Sequence, residues 1–221
     1  MFSARLIGLA TLVGVMMLPI ATYASGRYNA SEPTSHPVTK GVPPGPGAVA
    51  PNVAMTDTSG RTFNLASLRG KTVVLEWINF ECPYVARHYA SDNMQSVQRD
   101  AMGEGVVWMT IFSSAPGKQG HQDARGADFF TTQKSSSPSA KILDPSGVVG
   151  RAFGARTTPH MFVINPRGEI IYAGAIDYQP RAVVAASKPT RNYFLEALVA
   201  QRAGRTPNVR ATAAYGCSVK Y

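Results

Sequence analysis

An α/β fold, a central mixed β-sheet with helices on both faces, is what the pattern of this chain predicts. Three observations carry it. Strand-like and helical stretches alternate through the first part of the chain, which implies a parallel βαβ unit. Residues 72–79 form a nearly continuous apolar run, the kind of strand that is buried on both faces of a parallel sheet. Two later strands flank Pro166-Arg167-Gly168, and a hairpin there adds antiparallel members to the sheet.

Taken in order, residues 1–24 read as an export signal. Arg5 supplies the positive start, Leu6 to Ile20 is apolar, and Ala24 ends a stretch suited to cleavage before Ser25. An uncleaved anchor is the alternative, although the apolar stretch is short for a membrane span. No later segment is apolar enough to cross a bilayer, so no stable membrane insertion is expected after cleavage, and the expected location is the periplasm or the exterior. Residues 25–47 carry Pro33, Pro37, Pro43, Pro44 and Pro46 without hydrophobic periodicity and read as a linker. The folded domain is expected over 48–203 and a polar tail over 204–221.

Within the domain, an Asp/Ser/Gly turn at 57–60 joins two short extended pieces over 55–64. Leu65–Lys71 reads as a helical turn stopped by Gly70. After the strand at 72–79, a helix is expected from Pro83 to about Met102, with Val85, His88, Tyr89, Met94 and Val97 as its apolar stripe and Gly103 and Gly105 as its stop. Val106–Phe112 is a second buried strand. Residues 113–126 are polar and Gly-rich, and 127–134 read as helical. Lys141–Leu143 is a short strand, Val148–Phe153 a helical turn, and Met161–Asn165 with Glu169–Ala175 the late hairpin. Arg191–Arg202 closes the domain as an amphipathic helix carrying Tyr193, Phe194, Leu195, Leu198 and Val199. No internal repeat is visible.

The net charge is +9, and without Arg5 it is +8, from 21 Lys and Arg against 13 Asp and Glu. These charges are scattered, with no basic block interleaved with aromatics, so nucleic acid is not an expected partner. There is no Gly-rich phosphate loop of P-loop spacing, no hydrolase triad and no clustered metal-ligand spacing. No cofactor is expected.

Two cysteines are too few for a disulfide framework in a chain of 221 residues, and they point to chemistry or to one staple. Cys82 ends the apolar strand and Pro83 follows at a favoured first helical position. A thiol there faces unpaired N–H groups and the positive end of the helix dipole, which favour the reactive thiolate. Cys217 is the only other cysteine, so a redox pair within one chain joins Cys82 and Cys217.

Ala50-Pro51, Asp57, Gly60, Leu65, Leu68 and Arg69-Gly70-Lys71, followed by the strand ending in Cys82-Pro83, resemble the redoxin branch of the thioredoxin superfamily, which holds the peroxiredoxins. Thr157-Thr158-Pro159-His160 resembles that family's threonine and cis-proline loop. The resemblance implies a thioredoxin-like fold, with the Pro159 loop facing Cys82 and presenting backbone groups to an extended substrate. It implies an exported thiol oxidoreductase: Cys82 attacks a peroxide or a protein disulfide, Cys217 resolves the product, and an external thiol reductant resets the pair. Thr158, Pro159 and Asn79 would contact substrate. Glu76 would be a buried proton relay, or alternatively a strand carboxylate paired with Lys or Arg. Arg87 or Arg156 would stabilise the thiolate.

The chain departs from the family in places. Val85 stands where thioredoxins carry a second cysteine, and Asn79 and Leu75 stand where peroxiredoxins carry Thr or Ser and Pro. A binding module with a structural Cys82–Cys217 bond is therefore an alternative. A copper-binding chaperone using His88 and His160 is another, although such proteins carry two cysteines in the first loop.

Overall fold

A computed structural model of the chain describes residues 43–178 and 191–221, so the expected export signal and most of the expected linker lie outside the described residues. The sheet is built on β3 (Val73–Trp77), which pairs in parallel with β4 (Val107–Phe112) and antiparallel with β7 (His160–Ile164). On one side of this trio, β4 pairs in parallel with β5 (Ala140–Leu143), and β5 pairs antiparallel with β1 (Met55–Asp57), which carries β2 (Thr62–Phe63) at the edge. On the other side, β7 carries β8 (Ile170–Gly174), giving the order β2-β1-β5-β4-β3-β7-β8. The predicted mixed sheet is present.

Although β3 reads as one apolar run, its side chains serve two different layers. Val74 and Ile78 face a cluster with Trp108, Val163 and Tyr172 of the sheet. That cluster is closed by α1 (Pro83–Ala90), α2 (Asn93–Gly103), Ala127 of α3 (Ala124–Gln133) and α5 (Tyr193–Arg202). Val73, Leu75 and Trp77 face the opposite cluster, closed by Leu65 of a 3-10 turn (Leu65–Leu68) and by Val149 and Phe153 of α4 (Val148–Phe153). Alternate residues of a strand point to opposite faces, so a centre strand covered on both faces is apolar throughout. Phe162 is central to the second layer, its ring centroid 5.3 Å from Trp77 and 5.4 Å from Phe153.

Two turns set the frame. The Asp57 carboxylate accepts the backbone N–H groups of Ser59 and Arg61 at 2.9 Å each and pairs with the Arg61 guanidinium, which fixes the β1–β2 hairpin. Asp144 accepts the first N–H groups of α4, from Val149 at 3.1 Å and Gly150 at 2.8 Å, and also the Ser113 hydroxyl at 2.6 Å. Ser113 in turn accepts the Trp77 indole N–H at 3.0 Å, tying three elements together at one end of the sheet.

The structure corrects the sequence expectation in three places. The helix expected from Pro83 to Met102 is two helices, broken at Ser91-Asp92, with Asp92 in the left-handed region at φ 55°. The Ser91 hydroxyl donates to the carbonyls of Arg87 and His88 and satisfies the end of α1, a local competition that short polar side chains offer a helix. Helix α3 begins earlier than residue 127, because the Asp123 side chain caps it through the Gly126 N–H at 2.7 Å. The tail contributes a strand of its own, β9 (Cys217–Ser218), paired with the short β6 (Thr157–Thr158) outside the main sheet.

The Trp77–Phe153–Phe162 cluster sets an expectation for stability. Replacing Phe162 with Ala removes a ring that is 1 % exposed and should cost about 3–5 kcal/mol, read from equilibrium urea unfolding. A loss below about 1 kcal/mol would mean that this layer does not hold the fold as described.

Candidate active site

Strand β3 delivers the chain to a tight turn in which the Cys82 N–H donates to the Asn79 carbonyl at 2.9 Å. Cys82 sits at the N-cap of α1 in extended geometry, with φ −79° and ψ 120°, and Pro83 opens the helix. Pro83 offers no N–H, and the backbone N–H of Val85 in the first turn favours the Cys82 thiolate. Opposite stands the loop after β6, where the Thr158–Pro159 peptide is cis, as the resemblance implied. The protonated Cys82 thiol donates to the Thr158 carbonyl at 3.0 Å.

The tail completes the site. In the β6–β9 pair, Thr157 stands opposite Ser218 and Thr158 opposite Cys217, which packs the Cys217 side chain against the cluster that holds Cys82. Both cysteines are free thiols. Cys82 has 0 % of its surface exposed, whereas Cys217 is partly exposed.

The two thiols are pushed in opposite directions. Burial raises the pKa of Cys82. Hydrogen bonds from the Cys217 side chain, the N–H groups of Val85 and Cys217 and the Thr158 side chain outweigh it and hold Cys82 below an ordinary thiol. Burial pushes Cys217 up, its bond to Cys82 and the Cys82 charge push it further, and Lys220 offsets only part, leaving it at about 12. One thiol is held toward the thiolate and the other toward its protonated form.

A Cβ on Gly216, whose φ is +130°, would lie 2.0 Å from the Thr158 carbonyl oxygen, so only glycine lets the tail close against β6 here. One residue earlier, the Tyr215 hydroxyl donates to Asp177 and accepts from the Arg87 guanidinium at 2.8 Å, with the Tyr84 ring 5.8 Å away. Beyond β9, the Val219 N–H donates to the Arg156 carbonyl at 2.9 Å, and the Lys220 carbonyl accepts the Ala115 N–H at 2.7 Å. The Tyr221 hydroxyl reaches the Ala155 carbonyl at 2.6 Å, with Arg151 over its ring at 4.6 Å.

The remaining residues singled out in the sequence fall as follows. Glu76 is fully buried on β3 and accepts the Tyr89 hydroxyl at 2.8 Å, the Trp108 indole N–H at 2.8 Å and the Thr110 hydroxyl at 3.1 Å. Its hydrogen-bond partners are neutral, not Lys or Arg. Burial raises its pKa against those three bonds and favours the protonated form. Asn79 is buried, its amide oxygen accepting the Glu81 N–H at 2.9 Å beneath Gly120, so it shapes the turn that presents Cys82.

Arg87 is directed to Asp177 and Tyr215 rather than to the thiolate, and Arg156 contributes a carbonyl to the tail. His88 is buried, with Nε2 2.8 Å from Arg87 and Nδ1 3.0 Å from Asn93. Burial and the Arg87 charge bring its pKa down to about 4, and burial and Arg156 do the same for His160. Among the described residues, no three His, Cys, Asp or Glu side chains gather as a metal site. Sequence reasoning missed the Tyr215–Asp177–Arg87 clamp because its members are far apart in the chain. Flanking tyrosines and a glycine beside Cys217 were the only signal.

The AhpC/TSA family model matches residues 46–173, a segment that holds Cys82, Thr158 and Pro159 and leaves Cys217 outside. The thiol-disulfide oxidoreductase ResA of Bacillus subtilis (strain 168) is 24% identical over 165 residues, covering 72% of this chain and 79% of that protein. A hypothetical protein from Sinorhizobium meliloti 1021 has a similar solved structure, with TM-score 0.70 at 20% identity over 82% of this chain and 96% of that one. An uncharacterized conserved protein from Geobacillus kaustophilus gives 0.68 at 21% identity, over 82% and 94% of the two chains.

Two expectations follow from these electrostatics. Replacing Cys217 with Ala removes a hydrogen-bond donor and should raise the Cys82 pKa, slowing its alkylation by iodoacetamide near neutral pH, whereas Cys217→Ser keeps a donor and should leave it low. Equal alkylation profiles for the two variants would disprove the role of that bond. For Glu76, the folded pKa lies above the unfolded one, so the stability it contributes is complete below about pH 4.3 and is lost as pH rises through the folded value. Urea midpoints measured across that range should fall for the native chain relative to Glu76→Gln.

Proposed function

The chain belongs to the AhpC/TSA family and has a thioredoxin-like fold, and from that premise we propose that it is a thiol-based oxidoreductase with Cys82 as attacking thiolate and Cys217 as resolving thiol. The observation that carries this reading is the pairing of Cys217 opposite Thr158, which packs its side chain against the cluster that holds Cys82. A second thiol in contact with the first is what a disulfide-forming cycle needs. The depressed pKa of one partner favours a working pair over a staple, since a staple needs no thiolate.

Two substrates fit the chemistry. A peroxide attacked by the Cys82 thiolate loses its terminal oxygen to sulfur and departs as an alcohol or water. The resulting sulfenic acid condenses with the Cys217 thiol to give a disulfide and one water. A protein disulfide attacked by Cys82 gives a mixed disulfide and releases one thiolate. Cys217 then attacks the Cys82 sulfur and releases the second. The name of the Bacillus subtilis relative supports the second route. In either case an external dithiol returns the pair to the reduced state. Glu76 is proposed as a buried proton acceptor and donor for these steps, Asn79 as the residue that shapes the nucleophile's turn, and Thr158 and Pro159 as the opposing wall. The export signal read in residues 1–24 supports an oxidising, non-cytoplasmic setting.

The test is to mix the reduced protein with stoichiometric hydrogen peroxide, and separately with a protein disulfide, and map the products by intact mass and peptide analysis. A Cys82–Cys217 bond should form far faster than glutathione reacts under the same conditions. In Cys217→Ser, Cys82 should accumulate as a dimedone-reactive sulfenic acid or as a trapped mixed disulfide. Sluggish reaction with both oxidants would leave Cys82–Cys217 as a structural tie in a non-catalytic module.

A further inference from the structure

With its tail docked, Cys82 has no exposed surface, and the strand edge beside it is already taken. Strand β6 pairs only with β9 among the described residues, and β9 is an extended segment that places a cysteine against Cys82. A protein disulfide therefore reaches Cys82 only when the tail leaves, and it then meets the surface that the tail had covered. We infer that the tail is an internal copy of the ligand recognised there. The β6 edge thus selects extended polypeptide segments whose cysteine follows a glycine and, one place earlier, a hydroxylated aromatic residue. This rests on the disulfide-exchange reading above and adds the sequence that the site prefers.

Each requirement comes from a contact. At the cysteine position the backbone pairs with Thr158, which fixes register and direction. At the preceding position the tail backbone runs so close to β6 that a Cβ would sit 2.0 Å from the Thr158 carbonyl oxygen and 3.3 Å from Pro159 Cδ, and the local φ is +130°. An incoming strand that follows the same path needs glycine for the same reason. At the position before that, a half-open seat is lined by Tyr84, Arg87 and Asp177. Arg87 donates to the tyrosine hydroxyl and Asp177 accepts from it, so tyrosine adds a bond to each group and phenylalanine adds none. Arg87 and Asp177 also bond each other, with Nη2 3.0 Å from both carboxylate oxygens, so the seat persists when the tail is out.

The exchange step balances. The Cys82 thiolate attacks the sulfur of the partner's cysteine within its disulfide. A Cys82–partner S–S bond forms, the partner's own S–S bond breaks, and its second sulfur leaves as thiolate. When the tail returns, Cys217 displaces the partner's cysteine by attack on the Cys82 sulfur, and its proton passes to the departing thiolate.

The test measures binding without exchange. A fluorescent peptide with the sequence of residues 210–221 and serine in place of its cysteine is titrated into the reduced full chain and into the full chain carrying Gly216→Ala, followed by anisotropy. Unseating the tethered competitor should tighten binding by at least about tenfold. In the same assay, peptides with alanine for the glycine, or with alanine or phenylalanine for the tyrosine, should bind about tenfold more weakly. Tyr215→Ala in the full chain is a second way to unseat the tail if Gly216→Ala does not fold. Equal binding to native and unseated chains, or indifference to the glycine and tyrosine replacements, overturns the inference. The unmodified peptide, supplied as its glutathione mixed disulfide, separates the two levels. Selective binding without transfer to Cys82 would refute the exchange chemistry while leaving the recognition rule, and transfer without selectivity would do the reverse.

Discussion

The backbone pairing of Thr158 with Cys217 is the constraint on which the rest of the site depends. It puts the Cys217 thiol against Cys82, held between β3 and α1, although 135 residues separate the two cysteines in sequence. The pairing requires Gly216, because no side chain fits between the tail and β6, and it is reinforced on both flanks by tyrosines seated in polar clamps. A chain that keeps the sheet but loses this pairing would retain a helix-capped cysteine and lose its second sulfur.

Local chemistry at Cys82 accounts for why that contact matters electrically. The end of a helix offers N–H groups but not enough to offset burial by itself: the bond from Cys217 is the largest of the lowering influences on Cys82. Each thiol therefore sets the other's state, one lowered by receiving the hydrogen bond and the other raised by giving it. Arg87, the cation nearest in sequence, is drawn off by Asp177 and serves the tail instead. Charge in this site is used for holding the strap, and neutral donors are used for holding the thiolate.

How far this was legible in the sequence follows from the range of the forces involved. Strand β3, the Cys82–Pro83 junction and the late hairpin are local patterns: an apolar run, a helix-start residue, a turn. The Thr158–Pro159 loop was legible only through family resemblance, since an isolated Thr-Pro says little. The break at Ser91-Asp92 was hidden because the apolar stripe of α1 and α2 continues across it, while the stop is made by a single hydroxyl bonded back to two carbonyls. The tail strand was hidden for a different reason. Two residues of strand carry no periodicity, and their partner β6 is equally short and lies about 60 positions away. The clamp was equally invisible, as Arg87 and Tyr215 stand 128 positions apart.

The donors gathered around Cys82 also give the proposed cycle a direction. In a disulfide between Cys82 and Cys217, an incoming thiolate has two sulfurs to attack, and the better leaving group is the thiol of lower pKa. The Val85 and Cys217 N–H groups and the Thr158 side chain, which do not depend on a free Cys217 thiol, favour Cys82 as that group. Attack on the Cys217 sulfur is therefore electronically favoured, because it expels the Cys82 thiolate into the donors that stabilise it. Access agrees, since Cys217 is partly exposed and Cys82 is buried. The same asymmetry governs the forward half of the cycle. In the proposed cycle Cys82, at the N-terminus of α1, attacks once the path to it opens, and Cys217 keeps its proton until a mixed disulfide or sulfenic acid has formed beside it. The proposed cycle thus divides reactivity by position, receiving oxidants at the helix and reductants at the tail.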